Sequence, residues 1–307
     1  MSGQTAGGLA FGDGVLFFPV TPFDRSDRID HALLAEHVAS GVEAGAAGVF
    51  AACGTGEYHA LSATEAEAAV GTAVTATAGR VPVLAGVGGP LAHARDVARA
   101  AAARGAQGLL VMPPYLVQAP QEGLIRYVQA LADETELPLI VYHRGNAALT
   151  EATVERLLDL PLVAGIKDGV GDIALAQRFV LAAERSGREL LFFNGLLTAE
   201  LSQAAYRSIG VPLYSSAVFA MAPDIATAWF DAYRGGDDER QRHLLEHFFV
   251  PLVRLRDETP GFAVSLIKAG LRLAGLPVGP VRAPLVDPNA EHTERLRAIL
   301  ASGRDAL

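Results

Sequence analysis

The sequence predicts an α/β protein: a (β/α)8 TIM barrel followed by a C-terminal helical extension. Three observations predict it. Short apolar runs alternate with helical patterns eight times between Gly14 and the segment after Pro223. Strands separated by helical segments imply βαβ crossovers and a parallel sheet. The runs are continuously apolar, which suits strands covered on both faces. Eight such units in about 220 residues match the length of a closed barrel. An open doubly wound sheet usually has fewer strands and carries GxGxxG after its first strand. The nearest stretch here, Gly86-Val87-Gly88-Gly89-Pro90, lacks that spacing and holds a proline.

The elements follow in order. Residues 1–13 are small and Gly-rich, without the basic region and apolar core of a signal peptide, and read as a flexible tail. The first strand, 14–20, stops at Thr21-Pro22. Asp30 caps a helix with Leu33, Leu34, Val38 and Val42 in helical spacing. A second strand spans 47–52, and Ser62-Ala63-Thr64-Glu65 is a capping box that opens the next helix. Strands over 81–86, 108–112, 137–142 and 162–167 follow, with helices from Leu91, Gln121 and Thr150 between them. Asp172 caps helix six. Strand seven covers 189–193, helix seven 198–209 and strand eight 211–215. After Pro223 the strand signals cease. Helical stretches over 223–233, 237–256, 261–274 and 291–301 remain, the last preceded by a Pro-rich loop. The expected organisation is a tail over 1–13, a catalytic barrel over 14–235 and a helical extension over 236–307.

Half the residues are hydrophobic, enough for a large core. With 34 acidic against 25 basic residues and a net charge of −9, the chain lacks the basic footprint of a nucleic-acid binder. No run reaches the ~18 uninterrupted apolar residues of a membrane span. The single cysteine, Cys53, excludes an intrachain disulfide framework and fits a reducing, cytoplasmic setting. The eight histidines are scattered. His31 and His37 are six apart, and His243 and His247 lack the glutamate of HExxH, so no metal site is expected.

In such a barrel the chemistry lies at the carboxyl ends of the strands. Those ends supply Thr21, Gly54-Thr55-Gly56-Glu57, Tyr115, Tyr142-His143-Arg144, Lys167-Asp168, Asn194 and Ser215-Ser216. Lys167 terminates the run Leu162-Val163-Ala164-Gly165-Ile166. Burial favours the neutral amine, and a neutral amine forms a Schiff base with a carbonyl. Tyr142 is a candidate proton carrier, and the glycine turn is a candidate cradle for a carboxylate. Each has a plainer reading: a loop lysine, a core tyrosine with its hydroxyl at the rim, an ordinary turn. Only their convergence on one end of one barrel favours chemistry.

Phe18-Pro19-Val20-Thr21-Pro22-Phe23, Gly54-Thr55-Gly56-Glu57, Pro113-Pro114-Tyr115, Tyr142 and Gly165-Ile166-Lys167-Asp168 together resemble the dihydrodipicolinate synthase and N-acetylneuraminate lyase superfamily of Schiff-base barrels. The loops Tyr142-His143-Arg144-Gly145-Asn146-Ala147, Lys167-Asp168-Gly169-Val170-Gly171-Asp172 and Tyr214-Ser215-Ser216-Ala217-Val218-Phe219 are most similar to its 5-dehydro-4-deoxyglucarate dehydratase branch. The chain departs from the synthase branch at Gly54 and Leu116, where that branch carries the threonine and tyrosine of its proton relay. Cys53 stands where a small residue is usual. The resemblance implies Lys167 and Tyr142 as catalytic residues. It implies Gly54, Thr55, Gly56, Arg144, Asn194, Ser215 and Ser216 as substrate-binding residues, without ranking the last four. It also implies a small 2-oxo sugar diacid as substrate, no cofactor, no nucleic acid or membrane as partner, and a homodimer or homotetramer. The alternative within the superfamily is a 2-keto-3-deoxy sugar-acid aldolase or a synthase-like enzyme.

Overall fold

The structure is a computed structural model and describes residues 4–307. Eight parallel strands close into a barrel: β3 (Val15–Phe17), β4 (Ala46–Ala51), β5 (Val83–Val87), β6 (Gly108–Val111), β7 (Leu139–His143), β8 (Val163–Asp168), β9 (Leu191–Asn194) and β10 (Leu213–Ser216). Each pairs with its neighbour in sequence, and β10 returns to β3. The closed barrel leaves no free edge, which resolves the aggregation hazard of an all-parallel apolar sheet.

Helices α1 (His31–Glu43), α2 (Ala63–Thr77), α3 (Leu91–Ala103), α4 (Gln121–Ala132), α5 (Glu151–Leu157), α6 (Ile173–Ser186), α7 (Gln203–Ser208) and α8 (Pro223–Gly235) follow the strands in turn. The capping residues act as the sequence predicts. Asp30, Thr150 and Asp172 accept from the N–H groups of Leu33, Thr153 and Leu175, and Ser62 with Glu65 forms the reciprocal box. Helix seven is the exception. The expected helix over 198–209 is a 3-10 turn, Ala199–Leu201, joined to six residues of α7. The buried Asn194 side chain explains the break, because its amide donates to the Ala199 carbonyl at 3.1 Å and holds the chain in the tighter turn.

Residues 4–11 correct the expectation of a tail. They form an antiparallel hairpin, β1 (Gln4–Ala6) with β2 (Leu9–Phe11), while residues 1–3 lie outside the described part. Its apolar side chains close the amino-terminal mouth of the barrel. Phe11 is buried, stacks on Phe50 at 5.8 Å and meets Phe193 edge-on at 5.9 Å. Phe50 stacks in turn on Phe18 at 4.5 Å, so an aromatic column rises from the floor into the barrel. At Gly7, whose φ is +57°, an added Cβ would lie 2.7 Å from the Cβ of Ala164, so the turn of the hairpin sits directly on β8.

Beyond α8 come α9 (Asp238–Leu244), α10 (Val250–Arg256), α11 (Phe262–Leu273) and α12 (Ala290–Asp305). A π-helical turn, Leu245–Phe249, joins α9 to α10 where the sequence predicts one uninterrupted helix. Helix α12 packs on α8, α10 and α11.

Candidate active site

A cavity of about 550 Å³ opens at the carboxyl ends of the barrel strands. Its most buried polar lining residue is Lys167, on β8, with 4% of its surface exposed. The parallel register pairs Lys167 with Tyr142 on β7 and with Phe193 on β9. The Lys167 Nζ sits 4.0 Å from the centroid of the Tyr142 ring and 5.2 Å from that of Phe18. Burial among these rings lowers the ammonium's pKa, and Arg144 adds to the lowering. The Tyr142 phenol pulls the other way without overcoming the burial.

Tyr142 is held at both sides of its oxygen. The hydroxyl donates to the Gly195 carbonyl at 2.7 Å and accepts from Arg144 Nη1 at 2.8 Å. Burial raises this phenol, but the neighbouring Lys167 and Arg144 cations outweigh it and leave the pKa below the ordinary tyrosine value. The Gly195 carbonyl also accepts from Lys167 Nζ at 3.4 Å, so one backbone oxygen collects both functional groups. Any side chain at 195 would collide with the lysine, because an added Cβ lies 2.6 Å from both Cγ and Nζ of Lys167. The Gly195 N–H is tied to the Asp168 carbonyl at 2.6 Å, which fixes the peptide's direction. Asp168 itself faces outward. Its carboxylate accepts from the Val170 N–H at 2.8 Å and from the Tyr206 hydroxyl.

On the opposite wall Gly54 and Thr55 line the cavity. Among the described residues their N–H groups donate to no other group, although the turn is closed by Glu57 N–H to the Gly54 carbonyl at 3.1 Å. Donors left free in this way suit a carboxylate. Arg144 and Ser215 also line the cavity, and Arg144 is its only guanidinium.

Three expected substrate-binding residues do not line it. Asn194 is buried behind the barrel wall, where it donates to the Ala199 carbonyl and to Ser202 Oγ at 3.0 Å. Ser216 is buried and donates to Glu200 Oε1 at 2.5 Å. Gly56 is covered by Thr21, whose hydroxyl donates to its carbonyl at 2.7 Å. Strand geometry explains the two side chains, since consecutive residues point to opposite faces. With Lys167 and its partner Phe193 facing inward, Asn194 faces the helices; with Ser215 inward, so does Ser216.

The structure adds lining residues that sequence reasoning missed. Phe18 and His59 contribute from the first two loops, and Ala263, Val264 and Leu285 from the C-terminal segment. The turn signals Pro260-Gly261 and the proline-rich 277–288 stretch mark that segment's bends but say nothing of where it packs. Cys53 is buried and burial raises its thiol, so it is the inert small residue its position suggests. Among the described residues no three His, Cys, Asp or Glu side chains converge as metal ligands.

Residues 12–302 match the model of the dihydrodipicolinate synthetase family. The chain belongs to this family. It is 55% identical over 296 residues to a probable 5-dehydro-4-deoxyglucarate dehydratase of Streptomyces griseus, covering 96% of this chain and 92% of that one. It is 52% identical over 305 residues to a second such protein from Streptomyces coelicolor, covering 99% and 96%. The fold matches a crystal structure of dihydrodipicolinate synthase from Oceanobacillus iheyensis with a TM-score of 0.87 over 96% of this chain and 97% of that one, at 24% identity.

Proposed function

We propose that this family member is a Schiff-base-forming lyase that dehydrates and decarboxylates 5-dehydro-4-deoxy-D-glucarate to 2,5-dioxopentanoate, carbon dioxide and water. The observation that carries the reading is the buried Lys167 amine, paired with the Tyr142 phenol through the single carbonyl of Gly195. The dehydratase relatives at 55% and 52% identity supply the substrate.

The neutral Lys167 attacks the ketone, and loss of water from the carbinolamine gives an iminium. Tyr142 carries protons in that step, and the Lys167 and Arg144 cations that hold its pKa below the ordinary tyrosine value make the phenol a readier proton donor. The iminium withdraws electrons and acidifies the adjacent CH2. Deprotonation gives an enamine, which expels the neighbouring hydroxyl as water. The resulting conjugated iminium accepts the electron pair released when the distal carboxylate leaves as carbon dioxide. Protonation and hydrolysis then free the dioxo acid and return the amine. The lysine is the electron sink, so the reaction needs no organic cofactor.

The Gly54 and Thr55 donors suit the carboxylate beside the ketone. Arg144 and Ser215 remain for the hydroxyls and the distal carboxylate, since Asn194 and Ser216 point elsewhere. Leu116 is fully exposed and Val117 largely so, on a loop at the cavity mouth. We propose a homo-oligomer, dimer or tetramer, which sedimentation would resolve. Among the described residues no helix is long and apolar enough to cross a membrane, in keeping with a cytoplasmic enzyme.

The test is direct. Purified protein given the sugar acid alone should release carbon dioxide, and borohydride should trap the substrate on Lys167, read by mass spectrometry. Condensation of pyruvate with aspartate semialdehyde at comparable kcat/KM, without decarboxylation of the sugar acid, would assign the chain to the synthase branch instead.

A further inference from the structure

The glycine turn that faces the cavity is fastened from the far end of the sequence. Glu57 closes it with φ +58°, a left-handed conformation that a residue with a Cβ adopts only at a cost. Such strain persists only where the surroundings over-determine it. Here the side chain is fully buried and gripped at both oxygens. Oε1 meets Lys268 Nζ at 2.6 Å, and Oε2 accepts the Arg282 N–H at 2.8 Å. Lys268 is fully buried too, donates to the Pro280 carbonyl at 2.8 Å and lies 4.2 Å from the Phe23 ring centroid. Arg282 continues the clamp to Glu65 and to the Ala60 carbonyl.

A buried ion pair is a poor way to gain stability, because desolvating both charges offsets most of their attraction. What it does supply is direction. Lys268 sits on α11, the helix whose Ala263 and Val264 line the same cavity. The pair therefore ties the turn and the opposing wall into one body.

We propose that Lys268 is a positioning residue for the reaction: acting through Glu57, it sets the angle at which the Gly54 and Thr55 donors meet the carboxylate beside the substrate ketone. The proposal rests on the carboxylate role given to that turn above. It predicts a loss of affinity for any 2-oxo acid, with the chemistry of Lys167 left intact.

The experiment uses pyruvate, the simplest 2-oxo acid, with borohydride trapping on Lys167 as the readout. The variants are Lys268→Met, the double variant Glu57→Gln with Lys268→Met, and Glu57→Asp, which keeps the charge but draws the carboxylate back by one methylene. Thermal melting is followed in parallel. Lys268→Met leaves Glu57 buried and unpaired and is the least stable of the three; the double variant carries neither charge and regains melting temperature. The half-saturating pyruvate concentration should nevertheless rise about tenfold in the double variant and in Glu57→Asp, the effect of weakening one hydrogen bond to a charged group. Trapping at saturating pyruvate should stay within roughly threefold of the wild type, since no group touching the iminium has changed. If the pair is only a structural staple, restored melting will come with wild-type half-saturation, and the proposal fails. Wild-type protein that pyruvate does not trap would remove the carboxylate cradle and the role of Lys268 together. Trapping without turnover of the sugar acid would instead count against the proposed substrate and leave the comparison of variants decisive for Lys268.

Discussion

Lys167 and Tyr142 face each other because two paired strands present them on the same inward-facing parity. Removing the amine as Lys167→Ala is expected to keep the fold but abolish turnover and borohydride trapping; appreciable residual turnover would sink the Schiff-base reading. Tyr142→Phe keeps the ring against the lysine and removes the proton carrier. It should lower kcat by about 10²–10⁴-fold, the usual contribution of general acid–base catalysis. The same variant tests the electrostatics. The Tyr142 phenol raises the Lys167 pKa, which already lies below the ordinary 10.5, so its loss should move the acid limb of the trapping rate to lower pH. A limb that moves to higher pH would contradict that coupling. At this scale the sequence was legible where a polar residue terminates an apolar run, as Lys167 and Tyr142 do. It was illegible at Asn194 and Ser216, because every strand is covered on both faces. With apolar residues on both sides, nothing in the run says which parity points inward, and only the register to Lys167 decides it.

The elements most readable in sequence were those that end in local chemistry. The helix caps at Asp30, Ser62, Thr150 and Asp172 depend on three or four neighbouring residues and needed no knowledge of the fold. The 3-10 turn after β9 depends on the buried Asn194 and could not be read. That turn also carries Glu200, which burial pushes up to about 7 from 4.5. Its Oε1 accepts from Ser216, and its Oε2 has no hydrogen-bond partner among the described residues. The native state therefore holds a proton that the unfolded chain releases between pH 4.5 and 7. The stabilising share of this group is complete below its unfolded pKa and is lost as pH rises through the folded one, by roughly 3 kcal/mol in all. Glu200→Gln carries no such charge, so it should be more stable than the wild type at pH 8 and nearly equal to it at pH 4 in urea titrations; an equal difference at both would show that the carboxyl is not neutral in the fold. His37 on α1 works in the opposite direction. Burial lowers it to about 4 from 6.5, so native stability falls as pH drops through that interval. The two intervals overlap, so the opposing slopes offset each other between about pH 4.5 and 6.5, and His37→Gln should unmask the Glu200 slope, with stability falling steadily as pH rises through that range in urea titrations.

For the molecule as a whole, the barrel was legible from the count and spacing of its apolar runs. The hairpin over residues 4–11 was not, because its strands are three residues each and their partners are barrel side chains far along the chain. The same holds for the C-terminal wall of the cavity, whose helices were legible as helices but not as part of the site. Phe11→Ala should destabilise the fold by about 3–5 kcal/mol, as for other buried aromatic residues, while trapping at Lys167 survives at low temperature; an unchanged melting point would mean that the hairpin merely rests on the barrel.

The seal that Phe11, Phe50 and Phe18 make beneath the cavity has a kinetic consequence. Among the described residues, the buried Phe11, Phe50 and Phe18 rings fill the barrel beneath the cavity. Carbon dioxide, water and the five-carbon dioxo acid are then expected to depart by the opening through which the sugar acid arrives. A lingering product then excludes its successor, so inhibition by the dioxo acid should be competitive with substrate, and the tempo of turnover at high substrate should be set as much by clearing the doorway as by breaking bonds on the lysine.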